Sequence, residues 1–265
     1  MPLALFYGSV VGLSLGLTGG GGSIFAVPLL VYGLGLDFRS SVALSLAVVG
    51  LTSAYGVALQ ARQGHVLWGA GAVLGLGGVL AAPLGAWIGA QMPQRLSLLL
   101  FAALMLFIGA RMLRRTDAAT DVPLSWISCQ RQPNGYPHFN LACAGKLVVA
   151  GAISGTLSGI FGIGGGFLIV PALLLVACVS IERALATSLI GIALIAASGF
   201  AANAQHAGSG LGKLSTWFLA GSAAGMTLGA WSKTFIPARG LNVIFGLSVL
   251  GVAAFVVLQN LSLIP

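Results

Sequence analysis

The sequence predicts an all-α polytopic membrane protein built from two homologous halves. Three observations carry that expectation: an apolar composition almost without charge, hydrophobic runs of membrane-spanning length, and an internal repeat at one offset. Of the 265 residues, 58% are apolar and 6% are charged. A soluble domain carries roughly 25% charged residues, so a chain this poor in charge needs a bilayer as its solvent. The 40 glycines fit the same solvent, because small residues let membrane helices approach closely. The net charge of +8 does not indicate nucleic acid. The basic residues stand singly between apolar runs, with no basic face interleaved with aromatics, and their role is to set membrane orientation.

Along the chain, apolar runs occupy 3–36, 41–61, 66–91, 96–113, 144–179, 184–203, 214–232 and 240–260. That makes eight hydrophobic segments. The first begins at Met1-Pro2-Leu3-Ala4 without a basic region or cleavage site, which reads as the start of a membrane segment and not as a removed signal. Six runs have the length of one spanning helix, which needs about 20 residues. Runs 3–36 and 144–179 are too long. At about 1.5 Å per residue, the first would reach roughly 50 Å as a continuous helix, against a hydrocarbon core of about 30 Å. Both are interrupted near their middle by glycines. The one long polar stretch, 114–143, holds three prolines and two cysteines. It divides a first transmembrane repeat, 1–113, from a second, 144–265.

An offset of 143 residues brings the two interruptions into register. Residues 16–28, GLTGGGGSIFAVP, align with 159–171, GIFGIGGGFLIVP, and six of these 13 positions are identical. The same offset sets Ser45-Leu46 on Ser188-Leu189. One residue of slip later, Leu84-Gly85-Ala86-Trp87 falls on Leu228-Gly229-Ala230-Trp231. Glycine-rich stretches match by chance, whereas a Leu-Gly-Ala-Trp match at nearly the same offset does not. Duplicated halves are the architecture of secondary transporters.

The run Gly162-Ile163-Gly164-Gly165-Gly166-Phe167-Leu168-Ile169-Val170-Pro171, followed by Ala186-Thr187-Ser188-Leu189, resembles the TauE/SafE family of sulfite and organosulfonate exporters, also called the toluene-sulfonate uptake permease family. The likeness covers the chain outside 114–143. It implies a multi-pass protein of the cytoplasmic membrane that exports a small sulfur-containing anion such as sulfite, thiosulfate or an organosulfonate. Family members are also associated with organic acids. The first half departs from the pattern in Ala43-Leu44-Ser45-Leu46, which has no threonine. Any role of Thr187 is therefore assigned to the second half alone.

Charge chooses between two topologies. If runs 3–36 and 144–179 each cross once, the halves are parallel and the 12 basic residues divide 7 to 5 between the two faces. If each folds as a re-entrant hairpin, every half keeps three spanning helices and the halves are inverted. One face then holds Arg62, Arg111, Arg114, Arg115, Arg131, Lys146, Arg183, Lys233 and Arg239. The other holds Arg39, Arg95 and Lys213. The second division satisfies the positive-inside rule. It places the 114–143 linker in the cytoplasm and both termini outside. Within such a linker a Cys129–Cys143 disulfide is not expected. The three cysteines, with no paired metal spacing, read as incidental.

The glycine breaks are the expected substrate site. Non-helical backbone survives at membrane depth only where protein or a water-filled cavity covers it, so Gly19, Gly20, Gly21 and Gly22 and the cluster Gly162, Gly164, Gly165 and Gly166 should be buried. A new half-helix should begin after each, near Ser23 and near Phe167. Its first N–H groups lack intrahelical partners and its dipole adds positive potential. Two such ends meeting at the midplane would hold an anion without Arg or Lys in the core. Thr18, Ser23, Ser45, Thr187 and Ser188 can add hydroxyl donors. Each of these residues also has a plain structural reading, as helix packing for the glycines and as bonding to the preceding turn for the hydroxyls. Pro28 and Pro171 read as kinks, and Trp87 and Trp231 as interface anchors. His65, His138 and His206 read as solvated. Gln60 and Asn203, matched at the same offset, are polar groups near helix ends that can line a pathway.

The four acidic residues, Asp37, Asp117, Asp121 and Glu182, fall outside the apolar runs. Intramembrane carboxylates, the usual proton relays, are therefore missing from the expected spans. No G-x-x-x-x-G-K-[ST] phosphate loop is present. No titratable cluster or metal set supports an enzyme, and no cofactor is implied. The expected partners are a small anion and the lipid bilayer. The remaining alternatives to a gradient-driven carrier are an anion channel and a membrane subunit of a sulfur-metabolism system carrying a different organic anion. Nothing in the sequence fixes an oligomeric state.

Overall fold

The computed structural model describes residues 2–20, 22–62, 64–114, 141–177, 179–206, 212–232 and 238–261. Among these, the regular structure is helical throughout. The first half contains α1 (Pro2–Thr18), α2 (Ser23–Pro28), α3 (Phe38–Ala61), α4 (Trp68–Gln91) and α5 (Gln94–Arg114). The second contains α6 (Leu141–Phe161), α7 (Gly166–Val176), α8 (Ile181–Asn203), α9 (Gly212–Ser232) and α10 (Ala238–Leu261). The eight hydrophobic runs thus become ten helices among the described residues, because glycines split each of the two long runs. Among the described residues, four helical stretches are long and apolar enough to cross a membrane: Phe38–Ala61, Trp68–Gln91, Ala142–Phe161 and Glu182–Asn203.

Exposed side chains on these helices are largely apolar. Leu76, Leu80, Leu84 and Trp87 of α4 and Leu228 and Trp231 of α9 face outward, which suits lipid and not water. The matched Trp87 and Trp231 are 65% and 68% exposed.

The first long run doubles back on itself. A Cβ added to Gly22 would stand on Ser14 and Leu15, and one added to Gly33 would stand 2.7 Å from the Tyr7 ring. The start of α2 therefore lies beside the end of α1, and the residues after α2 lie beside the beginning of α1. Pro28 has no N–H to give, and the helix widens from Leu29 to Gly33 into a π turn. It closes with Leu36 N–H donating to the Leu30 carbonyl at 3.1 Å. In the second half, Gly165 lies against Ser154, back along α6.

Glycine determines how the halves join. Helix α1 packs along α9, and α6 packs along α4. In the first pair Gly8 and Gly12 leave no room for a Cβ against the backbone of Phe218 and Ser222, and Gly221 and Gly225 leave none against Leu5 and Ser9. In the second pair Gly151, Gly155 and Gly159 meet the backbone of Leu74, Gly78 and Ala82 in the same way. Spacing of four residues puts each set on one helix face, and backbone contact at that distance is open only to small residues. Helices α3 and α8 pack on each other, as do α5 and α10.

One sequence expectation is corrected here. Cys143 is disulfide-bonded, so it is not incidental. Its side chain is buried at the start of α6, and burial close to a second thiol overrides a prior based on compartment. Cys129 and Cys178 lie outside the described residues.

Candidate functional site

The two breaks meet inside the protein. A Cβ on Gly20 would stand 2.7 Å from the Gly166 carbonyl oxygen, and one on Gly166 would stand 2.6 Å from that of Gly20. Backbone thus touches backbone across the halves. Gly19, Gly20 and Gly22 are buried, and so are residues 162–166. Gly21 lies outside the described residues. Gly19, Gly162, Gly164 and Gly165 adopt φ of 67°, 72°, 66° and 70°, a left-handed conformation that other residues enter only at a cost. This requirement is what the glycine clusters meet. The second break also lacks space: a Cβ on Gly164 would lie 2.8 Å from the Val49 side chain.

Helix α2 starts at Ser23 and α7 at Gly166, at or one residue from the expected positions. Their N-caps are Gly22 and Gly165, and neither start has a side-chain cap. The first N–H groups of a helix have no partner in a preceding turn. At α7 the Leu168 and Ile169 N–H groups already donate to the Gly165 carbonyl at 3.1 and 3.3 Å, so Gly166 N–H at the helix start is the donor nearest the break.

The hydroxyls serve the breaks from the side. Ser45 Oγ donates to the Gly162 carbonyl at 2.7 Å, and Ser188 Oγ donates to the Gly19 carbonyl at 2.5 Å. The two bonds are counterparts under the 143-residue offset, and each runs from one half to the break of the other. Ser23 Oγ donates to the Gly20 carbonyl at 2.8 Å. These contacts satisfy three carbonyls of the breaks. Thr18 Oγ1 instead bonds its own preceding turn, to the Ser14 carbonyl at 2.7 Å. Thr187 is not brought to the break. Its Oγ1 accepts the Leu67 N–H at 3.0 Å, which ties α8 to the start of α4.

Sequence reasoning missed four residues that shape the site. Val42 packs on Gly162, and Leu185 packs on Gly19. These two are also counterparts at the same offset, so extending the alignment past the glycines would have found them. Val49 covers Gly164. Ser158, in the last turn of α6, is fully buried and its Oγ has no hydrogen-bond partner. Leu15 holds its position in the first half, so the repeat offers no signal for it. Gln60 and Asn203 are both buried, at the ends of α3 and α8.

No charged side chain is among the buried residues described. The buried polar side chains are serine, threonine, glutamine and asparagine. The site therefore offers neutral donors and backbone dipoles, with apolar walls.

Comparison with known proteins agrees along the chain. A family model described as sulfite exporter TauE/SafE matches residues 4–260. A "Probable membrane transporter protein" of Xylella fastidiosa (strain Temecula1 / ATCC 700964) is 34% identical over 262 residues, which cover 96% of this chain and 93% of that protein. The protein of the same description from strain 9a5c aligns with the same figures. The "Probable membrane transporter protein YdhB" of Bacillus subtilis (strain 168) is 26% identical over 190 residues, 72% of this chain and 73% of its own. No solved structure matches.

Proposed function

The chain belongs to the sulfite exporter TauE/SafE family of membrane transporters, and on that premise we propose that it exports a small sulfur-containing oxyanion across the cytoplasmic membrane. The family supplies the substrate class, and the site's chemistry is compatible with it. Sulfite, thiosulfate and sulfonates carry acceptor oxygens on several sides of a compact charged centre. The buried contact between the two breaks carries this reading. It sets the uncapped start of α7 beside the first break in a core whose described buried side chains are uncharged. The α7 N–H groups and dipole supply the positive potential. Ser45 and Ser188 hold the opposing carbonyls, and Ser158 Oγ is a further donor without a partner.

The proposed architecture is an inverted repeat. A hairpin followed by three crossings leaves the second half upside down relative to the first, which agrees with the 9-to-3 division of basic residues. The 114–143 linker is then cytoplasmic. With the breaks buried, substrate reaches them when one half rocks against the other. The absence of carboxylates from the apolar runs favours transport driven by the membrane potential and the substrate gradient.

The reading is tested by thermal stabilisation of the purified protein in sulfite, thiosulfate, sulfate, taurine and small carboxylates. Stabilisation by one or more of the sulfur oxyanions is expected. Stabilisation by a cation and by none of the anions overturns it.

A further inference from the structure

We infer that Arg39 and Asn203 form an anion-binding exit vestibule over the second break, on the membrane face opposite the 114–143 linker. This inference rests on the transport reading above. A narrow cleft opens between the first turn of α3, the last turns of α4 and α6, and the end of α8. Arg39, Val42, Ala86, Gly159, Ile160 and Asn203 are among its walls. Val42 separates it from the break, since Val42 Cα lies 2.8 Å from where a Gly162 Cβ would be.

Arg39 stands exposed at the mouth. Its Nη2 donates to the Ala90 carbonyl at 2.7 Å. Ala90 is in the last turn of α4, where carbonyls have no intrahelical donor. Among the described residues that is the guanidinium's single partner, which leaves most of its N–H donors unengaged. The neighbouring carboxylate, Asp37, caps α3 by accepting the Arg39 backbone N–H at 3.1 Å. Within the cleft wall, Asn203 Nδ2 donates to the Gly199 carbonyl at 2.9 Å, and an amide nitrogen has a second hydrogen to give.

A planar guanidinium matches an oxyanion edge, and a charged acceptor outbids a neutral carbonyl. An oxyanion leaving the break therefore draws Arg39 from Ala90. That exchange unties α3 from the end of α4 and widens a cleft that now has room for little more than a water. The second half does not repeat the device. The 143-residue offset puts Glu182 at the position of Arg39 and Gln60 at that of Asn203. The equivalent position on the linker face thus carries a carboxylate, and anion recognition by this device is one-sided.

The test measures half-saturating concentrations of sulfite and of thiosulfate from each face, in right-side-out and inside-out membrane vesicles. Arg39→Gln is expected to raise the value about tenfold on the Arg39 face, equivalent to about 1.4 kcal/mol of contact, with the linker face unchanged. Arg39→Lys should recover part of the loss, since charge remains without the planar fork. If Arg39→Gln fails to insert, Asn203→Leu carries the same one-sided expectation. Equal shifts on both faces, or no shift on either, overturn the vestibule while leaving the transport reading standing. If the wild-type protein moves neither anion from either face, both fall.

Discussion

The Ser45 hydroxyl donates a 2.7 Å hydrogen bond to the carbonyl of Gly162, a residue 117 positions later in the chain. Ser188 repeats the bond in the other direction, to Gly19 at 2.5 Å. Each half thus holds the glycine break of the other. The donor hydroxyl is buried in both cases, and so is the glycine whose carbonyl accepts it.

Ser45→Ala and Ser188→Ala are therefore expected to cost about 1 kcal/mol each, and more where the carbonyl stays dry. The measurement is the melting temperature of the purified protein. Because the two breaks touch at Gly20 and Gly166, the double variant should depart from additivity. Two independent effects would mean that the breaks are not mechanically joined.

Gly165 caps α7 at φ 70°, with Ser154 O 3.0 Å from the place of its Cβ. Gly165→Ala should cost about 1–2 kcal/mol in backbone strain and abolish transport while membrane insertion persists. Gly251→Ala is the control, since nothing lies within 4 Å of a Cβ there. It should leave both insertion and transport unchanged.

The α1–α9 seam fails differently. A Cβ on Gly12 would overlap the Ser222 backbone, and α1 cannot retreat without breaking the seam. Gly12→Leu should lower the amount of folded protein recovered from membranes, by overpacking of about 3 kcal/mol or more. Normal recovery with selective loss of transport would instead move Gly12 into the substrate path.

Transport should not require a proton gradient. No buried carboxylate is among the described residues, and Asp37 and Glu182 stand exposed at helix starts. In liposomes at zero potential, an imposed pH gradient should leave the uptake rate of a fixed-charge sulfonate unchanged. A rate that depends absolutely on the gradient would point to a proton relay elsewhere in the chain.

How far the sequence foretold this arrangement differs from residue to residue. Gly19, Gly162, Gly164 and Gly165 were legible as breaks because they interrupt runs too long for one crossing, whereas their positive φ was not. The starts of α2 and α7 were legible because an N-terminus must follow each break. The doubling back of run 3–36 was legible from length, since about 50 Å of helix does not fit a 30 Å core. The hydroxyl partners were not. Composition marks Ser45 and Thr187 equally as donors, and rotation about the α3 and α8 axes turns one to the break and the other to Leu67. Ser158 was hidden because its repeat counterpart is leucine. The disulfide at Cys143 was hidden because spacing along the chain says nothing about which thiols the fold brings together.

The most direct test of the central claim is counterflow of labelled sulfite in proteoliposomes preloaded with unlabelled sulfite. The account predicts transient accumulation of label by the wild-type protein, competed by thiosulfate and abolished by Gly165→Ala. Accumulation that persists undiminished in Gly165→Ala would contradict a substrate held at the glycine breaks.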